Sequence, residues 1–268
     1  MAIDQPDYRS ISQDELIALA GTSREFDGVL FPPATTFDDL DCTDCRFIRC
    51  LFQCPTVRGT DFSDAEFRDC RFAPARFASC KFTGARFEHC TFFNPERKTG
   101  CTFAFCELRA VEMVKCNFSV SSFERCDFYN LRAIECGFRG VNFHGSTFSR
   151  PISKKIVLTK AKFDKCNFNF ADMSGLSLQG CELLSCKFSE TALFGTDLSD
   201  AVMTGSTFDR AEWDRAKLSR ADLRGAAISG LNLAVLADYV GLTISEGQQE
   251  SILTQLGIKV SPDQDVLQ

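Results

Sequence analysis

The sequence predicts an all-β solenoid, a rod of four-sided coils numbering about ten, and three observations carry that prediction. The chain holds 27 Phe and 15 Cys but only one Trp and three Tyr, so one large side chain is used repeatedly. A large apolar residue recurs at every fifth position, as in Phe62, Phe67, Phe72, Phe77, Phe82, Phe87 and Phe92. Two residues before each stands a small or thiol side chain: Thr60, Ala65, Cys70, Ala75, Cys80, Ala85 and Cys90.

A period of five fits neither a helix nor a simple strand. It requires the backbone to turn a corner every five residues and return the same position to the inside. Four corners make a coil of 20 residues. The large residue and the small one before it point inward, and the other three face outward.

Taken from the N-terminus, residues 1–34 fall out of phase and are expected to cap the first coil. Ser12 followed by Glu15 predicts a short helix ended by Gly21. The ladder then occupies 35–233. It runs from Phe37 through Cys42, Phe47, Phe52, Val57 and Phe62 to Phe92, and resumes at Phe103. From there Leu108, Met113, Phe118, Phe123, Phe128, Ala133, Phe138, Phe143 and Phe148 follow. After a lapse at Ser153 it continues from Leu158 to Leu233. Adjacent strands about 4.8 Å apart give a rod about 45–50 Å long.

Two irregularities are read as bulging corners, each too short for a loop insertion. The eleven residues from Phe92 to Phe103 imply one extra residue in 93–100. The lapse at 149–155 keeps phase. Beyond Leu233 the period ends, and 234–268 forms a C-terminal cap with a helix opened by Ser245 and closed by Gly257, its apolar face being Ile252, Leu253 and Leu256.

The ladder resembles the pentapeptide-repeat family, whose motif A-(D/N)-(L/F)-x-x is visible in Ala171-Asp172-Met173, Ala221-Asp222-Leu223 and Cys126-Asp127-Phe128. The resemblance covers about 35–235. It implies a right-handed quadrilateral β-helix. The tail from Gln248 to Val260 looks like the C-terminal segment of the quinolone-resistance members, which implies a homodimer packed tail to tail through Ile252, Leu253 and Leu256. The same resemblance implies a DNA-mimicking rod that binds DNA gyrase or topoisomerase IV and protects it against drugs or toxins. The alternative is an interaction scaffold or effector unrelated to topoisomerases.

Charge tests the mimicry. The net charge is −6, but 1–34 carry six acids against two bases and 234–268 five against one. The shaft between them, with 25 acids and 27 bases, is slightly basic, and its middle segment 93–157 is the most basic part. Duplex DNA carries one negative charge per 1.7 Å. A neutral shaft departs from that. The one concentrated acidic patch expected is Asp41, Asp44, Asp61 and Asp64, stacked outside the first two coils as the candidate partner-binding face. Spacings in multiples of 20 also place Val114, Ile134 and Phe194 in one outward row.

No enzyme, cofactor or metal is expected. His89 and His144 stand in outward slots without an indicated partner. Cys42, Cys45, Cys50 and Cys54 have a zinc-like spacing, yet Cys45 and Cys50 belong on different faces of the tube. Thirteen of the fifteen cysteines take the small inward position, as small hydrophobes beneath the Phe rings. The same register places Cys106, Cys126, Cys166 and Cys186 on one face. With no signal pattern at the start and no stretch of about 20 apolar residues, the chain is expected in the cytoplasm, bound to a protein partner and to neither nucleic acid nor membrane.

Overall fold

The computed structural model describes residues 8–153 and 156–261. The backbone forms a right-handed β-solenoid of about nine turns. One face is an eight-strand parallel sheet, running in chain order Glu25–Asp27, Arg46–Ile48, Glu66–Arg68, Arg86–Glu88, Glu112–Val114, Leu131–Ile134, Ala161–Asp164 and Glu182–Leu184. A second face pairs Thr56–Arg58, Arg76–Ala78, Thr102–Ala104 and Ser122–Glu124. Short bridges such as Asp61 to Lys81 and Asp197 to Lys217 continue the pairing on the other faces.

Inside, the fifth residues stack ring on ring. Phe67 and Phe87 lie 4.7 Å apart and 7° from parallel, and Phe72 and Phe92 4.3 Å and 8°. Rings on adjacent faces meet edge to face, as Phe62 does with Phe67 at 5.5 Å. Both arrangements are those that aromatic quadrupoles favour. The chain turns most corners through a left-handed residue, for instance Asp44 at φ 56° and Asp64 at φ 57°. Asp tolerates that region better than most side chains do.

The small inward position does more than fill space. Cys70 donates its thiol hydrogen to the carbonyl of Phe47 at 3.2 Å, and Cys90 donates to that of Phe67 at 3.3 Å. Thr60, Ser146 and Ser206 use their hydroxyls in the same way, toward Phe37, Phe123 and Leu183. Along most of the shaft each coil is thereby tied to the one before it by a buried side-chain donor.

Pairing distances correct both irregularities. Most steps are 20 residues, but Arg76 pairs with Thr102, a step of 26. Six residues are therefore inserted, not one, and they leave the shaft as a loop closed by the bridge Asn94 to Thr99. The stack passes beneath it, with Phe92 on Phe118 at 4.4 Å. Gly100 ends the loop where an added Cβ would lie 2.5 Å from the backbone nitrogen of Ser121. Gly100→Ala is expected to cost on the order of 2 kcal/mol, read as a lower urea midpoint.

The second irregularity is larger. Gly137 pairs with Asn167, a step of 30, so ten residues are inserted. They form an antiparallel hairpin in which Ser149–Pro151 pairs with Val157–Thr159. Ser153 and Leu158 are not rungs of the ladder, and Leu158 is 46% exposed. Because ten is two repeats, the phase is kept and the insertion reads as a single lapse.

Both ends extend the ladder beyond 35–233. Phe26 stacks on Phe47 at 4.8 Å and Phe31 on Phe52 at 4.7 Å, so the first coil lies within the segment expected only to cap it. A step of 21, Glu25 to Arg46, hides it from a strict period. Helix α1, Gln13–Gly21, covers this coil with Leu16 and Ala20, and Ser12 and Glu15 close a capping box. At the far end Lys217 pairs with Asp238 and Asp222 with Thr243, again steps of 21.

Candidate partner-binding surfaces

The true register assembles an acidic row longer than the expected patch. Asp41, Asp61, Lys81, Glu107 and Asp127 succeed one another on adjacent coils. Glu107 and Asp127 were hidden by the six-residue insertion. The row's charges are matched: Arg24 reaches Asp41 at 3.4 Å, Lys81 reaches Asp61 at 3.2 Å, and Arg109 reaches Asp127 at 2.6 Å. Asp44 and Asp64 stand at the exposed corners beside it.

These acids also shape turns. The Asp41 carboxylate accepts from the Thr43 amide, which with Arg24 holds its pKa below the ordinary value. For Asp61 burial pushes upward, but the Ser63 hydroxyl and amide and Lys81 outweigh it and the pKa falls.

The eight-strand face carries a charge ladder that alternates in sign except where Arg132 is followed by Lys162. Glu25, Arg46, Glu66, Arg86, Glu112, Arg132, Lys162 and Glu182 occupy one row in register. Arg46 lies 3.2 Å from Glu25 and 3.1 Å from Glu66, and Lys162 lies 2.6 Å from Glu182. Each half-exposed pair contributes little stability. Together they leave the row with four charges of each sign. Such a row presents no run of negative charge to a DNA-binding groove.

Other expected alignments change with the register. Val114 and Ile134 share a row, followed by Asp164 and Leu184, and Phe194 lies outside it. Phe105, Phe170 and Phe194 each have a guanidinium group over the ring, with Arg139 4.3 Å above that of Phe170, and all three stay exposed. Ten of the fifteen cysteines form two columns. Cys50, Cys70, Cys90, Cys116, Cys136, Cys166 and Cys186 follow one corner, while Cys80, Cys106 and Cys126 follow another. Cys106 and Cys126 are therefore apart from Cys166 and Cys186.

All fifteen thiols are buried and free, including Cys42, Cys45, Cys50 and Cys54. Among the described residues no three His, Cys, Asp or Glu side chains converge as a metal site. His89 does have a carboxylate neighbour, with Nδ1 3.7 Å from Asp69, both half exposed. No described helix is long and apolar enough to cross a membrane.

The C-terminal segment divides its apolar residues. Helix α2, Gln249–Gln255, turns Ile252 into the open end of the core. Just before it, Gln248 donates to the carbonyls of Leu223 and Ala226 and satisfies the last coil. Ile252 is sealed and gives no surface, Leu253 is half-buried, and Leu256, Ile258 and Val260 remain exposed. Tyr239 and Val240 of the last coil are exposed as well.

The pentapeptide-repeat family model matches this chain in eight copies, over 58–94, 155–190, 186–225 and 196–233. A search of curated proteins finds no match. The chain is similar to a trypsin-treated form of a variant of QnrB1, a plasmid-mediated fluoroquinolone resistance protein. The two are 22% identical with a TM-score of 0.70, over 77% of this chain and 99% of that one. Full-length QnrB1 is 21% identical with a TM-score of 0.64, over 83% and 97%. Identities this low bear on the fold alone.

Proposed function

Because this chain belongs to the pentapeptide-repeat family, we propose that it works as a non-catalytic rod that binds a protein partner. The observation that carries this reading is how the side chains are spent. Inward positions are consumed by stacked rings and buried donors, and many outward charges are matched between coils. What the shaft leaves over is projections and an apolar end, which are surfaces for another protein.

The specific partner proposed is a type II topoisomerase, protected from a drug or toxin, on the likeness to the QnrB1 rods. The alternating ladder argues that contact is not made by an acidic shaft posing as DNA, and it favours an interaction scaffold as the second reading. A supercoiling assay with purified gyrase, a quinolone and the full chain separates the two. Relief of drug inhibition supports the topoisomerase reading. No effect at large molar excess removes it and leaves the scaffold.

Two rods are proposed to join tail to tail, with Leu256 and the half-buried Leu253 in the contact and Ile252 serving as the lid. Leu256→Arg is expected to halve the mass read by light scattering without moving the urea midpoint. An unchanged mass would remove the dimer.

A further inference from the structure

We propose that the hairpin at 149–159 and the groove at its foot dock an acidic, aliphatic segment of the protein partner. This rests on the reading that the rod binds a protein.

In an antiparallel pair successive residues face opposite sides. Arg150 is opposite Leu158, while Pro151 is opposite Val157. The backbone amide of Ile152 donates to the carbonyl of Ile156 at 2.8 Å, which extends the pairing. One side therefore shows Ile152, Ile156 and Leu158, the other Val157. All four are exposed, from 46% for Leu158 to 61% for Val157. A lone two-stranded hairpin is only marginally stable in water. Here both sides are aliphatic and neither is laid on the shaft. Three exposed aliphatics on one side of a projection, with Val157 exposed on the other, mark an interaction surface rather than scattered surface residues.

Charge identifies the occupant. Arg150 and Lys160 flank the hairpin, and neither has a carboxylate within ion-pair distance among the described residues. At its foot lies a groove of about 540 Å³, lined by Arg132, Lys160 and Lys162, with Glu112, Glu182 and the bare backbone of Gly180. Glu182 is engaged by Lys162 at 2.6 Å, and Glu112 lies between Arg86 and Arg132. The groove therefore has a cationic surplus, centred on Lys160. A segment offering carboxylates to the groove and aliphatic side chains to the hairpin matches both features.

The test uses the full chain and a short labelled peptide that alternates glutamate and leucine. Deleting 150–159 returns this coil to the regular 20-residue step, so that variant keeps its shaft. A second variant, Arg150→Glu with Lys160→Glu, keeps the hairpin. Wild type is expected to bind the peptide in a salt-sensitive way, and both variants to lose about tenfold or more in affinity. Three results would overturn the inference: equal affinity in the deletion variant, equal or tighter binding of a lysine–leucine peptide, or preference for a DNA duplex or phosphatidylglycerol vesicles. A lower mass on deletion would overturn it too, by assigning the hairpin to a second copy of this chain. If peptide binding fails while the intact chain still acts on gyrase, only the hairpin assignment falls. If both fail, the protein-binding reading falls with it.

Discussion

Phe47→Ala is expected to lower the unfolding free energy by about 3–5 kcal/mol, measured by urea denaturation. Its ring is fully buried and meets six others. Phe26 and Phe67 stack on its two faces at 4.8 and 4.9 Å, and Phe52 and Phe62 meet it edge to face at 5.5 and 6.1 Å. Phe31 and Phe37 complete the set at 6.0 and 6.4 Å. Truncation removes the transfer energy and leaves a cavity that parallel strands on either side cannot close, because the hydrogen-bond ladder fixes their spacing. Leu158→Ala is the control. It stands on the same five-residue count, yet it belongs to the exposed hairpin, and a change within about 0.5 kcal/mol is expected. Equal losses at the two sites would mean that both are rungs.

Raising the pH should unfold the rod. Burial pushes the thiols of Cys101 and Cys181 up to about 12 and that of Cys54 up to about 11, from an ordinary 9.0. Each is essentially without solvent contact. A group whose folded pKa is raised contributes fully below its unfolded pKa. Above it the unfolded chain loses a proton that the folded chain keeps. Stability therefore falls from about pH 9 toward 11–12, by about 1.4 kcal/mol per pH unit for each such thiol. Urea midpoints measured between pH 7 and 11 should be flat at first and then drop. Cys101→Ala with Cys181→Ala, which places at these positions the residue already used at Ala65 and Ala85, should shallow the fall. A slope unchanged by the double substitution would show that other groups carry it.

Most of the fold was legible because one residue in five does one job. Rings such as Phe72 must return to the interior, and a chain that does so must turn four corners per coil. What the period concealed depends on arithmetic. Insertions of one residue, before Phe37 and after Leu233, look like the end of a ladder that in fact continues. The insertion of six at 94–99 looks like a slip of one. The insertion of ten at the hairpin, being two whole repeats, leaves the phase untouched.

Those hidden lengths decide which residues share a face, so errors in them moved the surface assignments. Asp41 and Asp61 lie before the first large insertion, and their stacking was read from sequence. Glu107 and Asp127 lie after it and were missed. The one available signal for the hairpin was chemical: a run of bases and aliphatics around Pro151 with no small inward partner at the expected position. Lid and dimer contact could not be separated in sequence, since Ile252 and Leu256 are one helical turn apart and equally apolar. The cap bond of Gln248 to Leu223 and Ala226 turns Ile252 inward.

On the reading proposed above, the projecting hairpin and not the shaft meets the partner. Hydrogen exchange of the full chain, alone and with purified gyrase, tests it most directly. New protection is expected only at 149–160 and in the groove strands beside Arg132 and Lys162. Protection running along the row from Asp41 to Asp127 with the hairpin unchanged would contradict it.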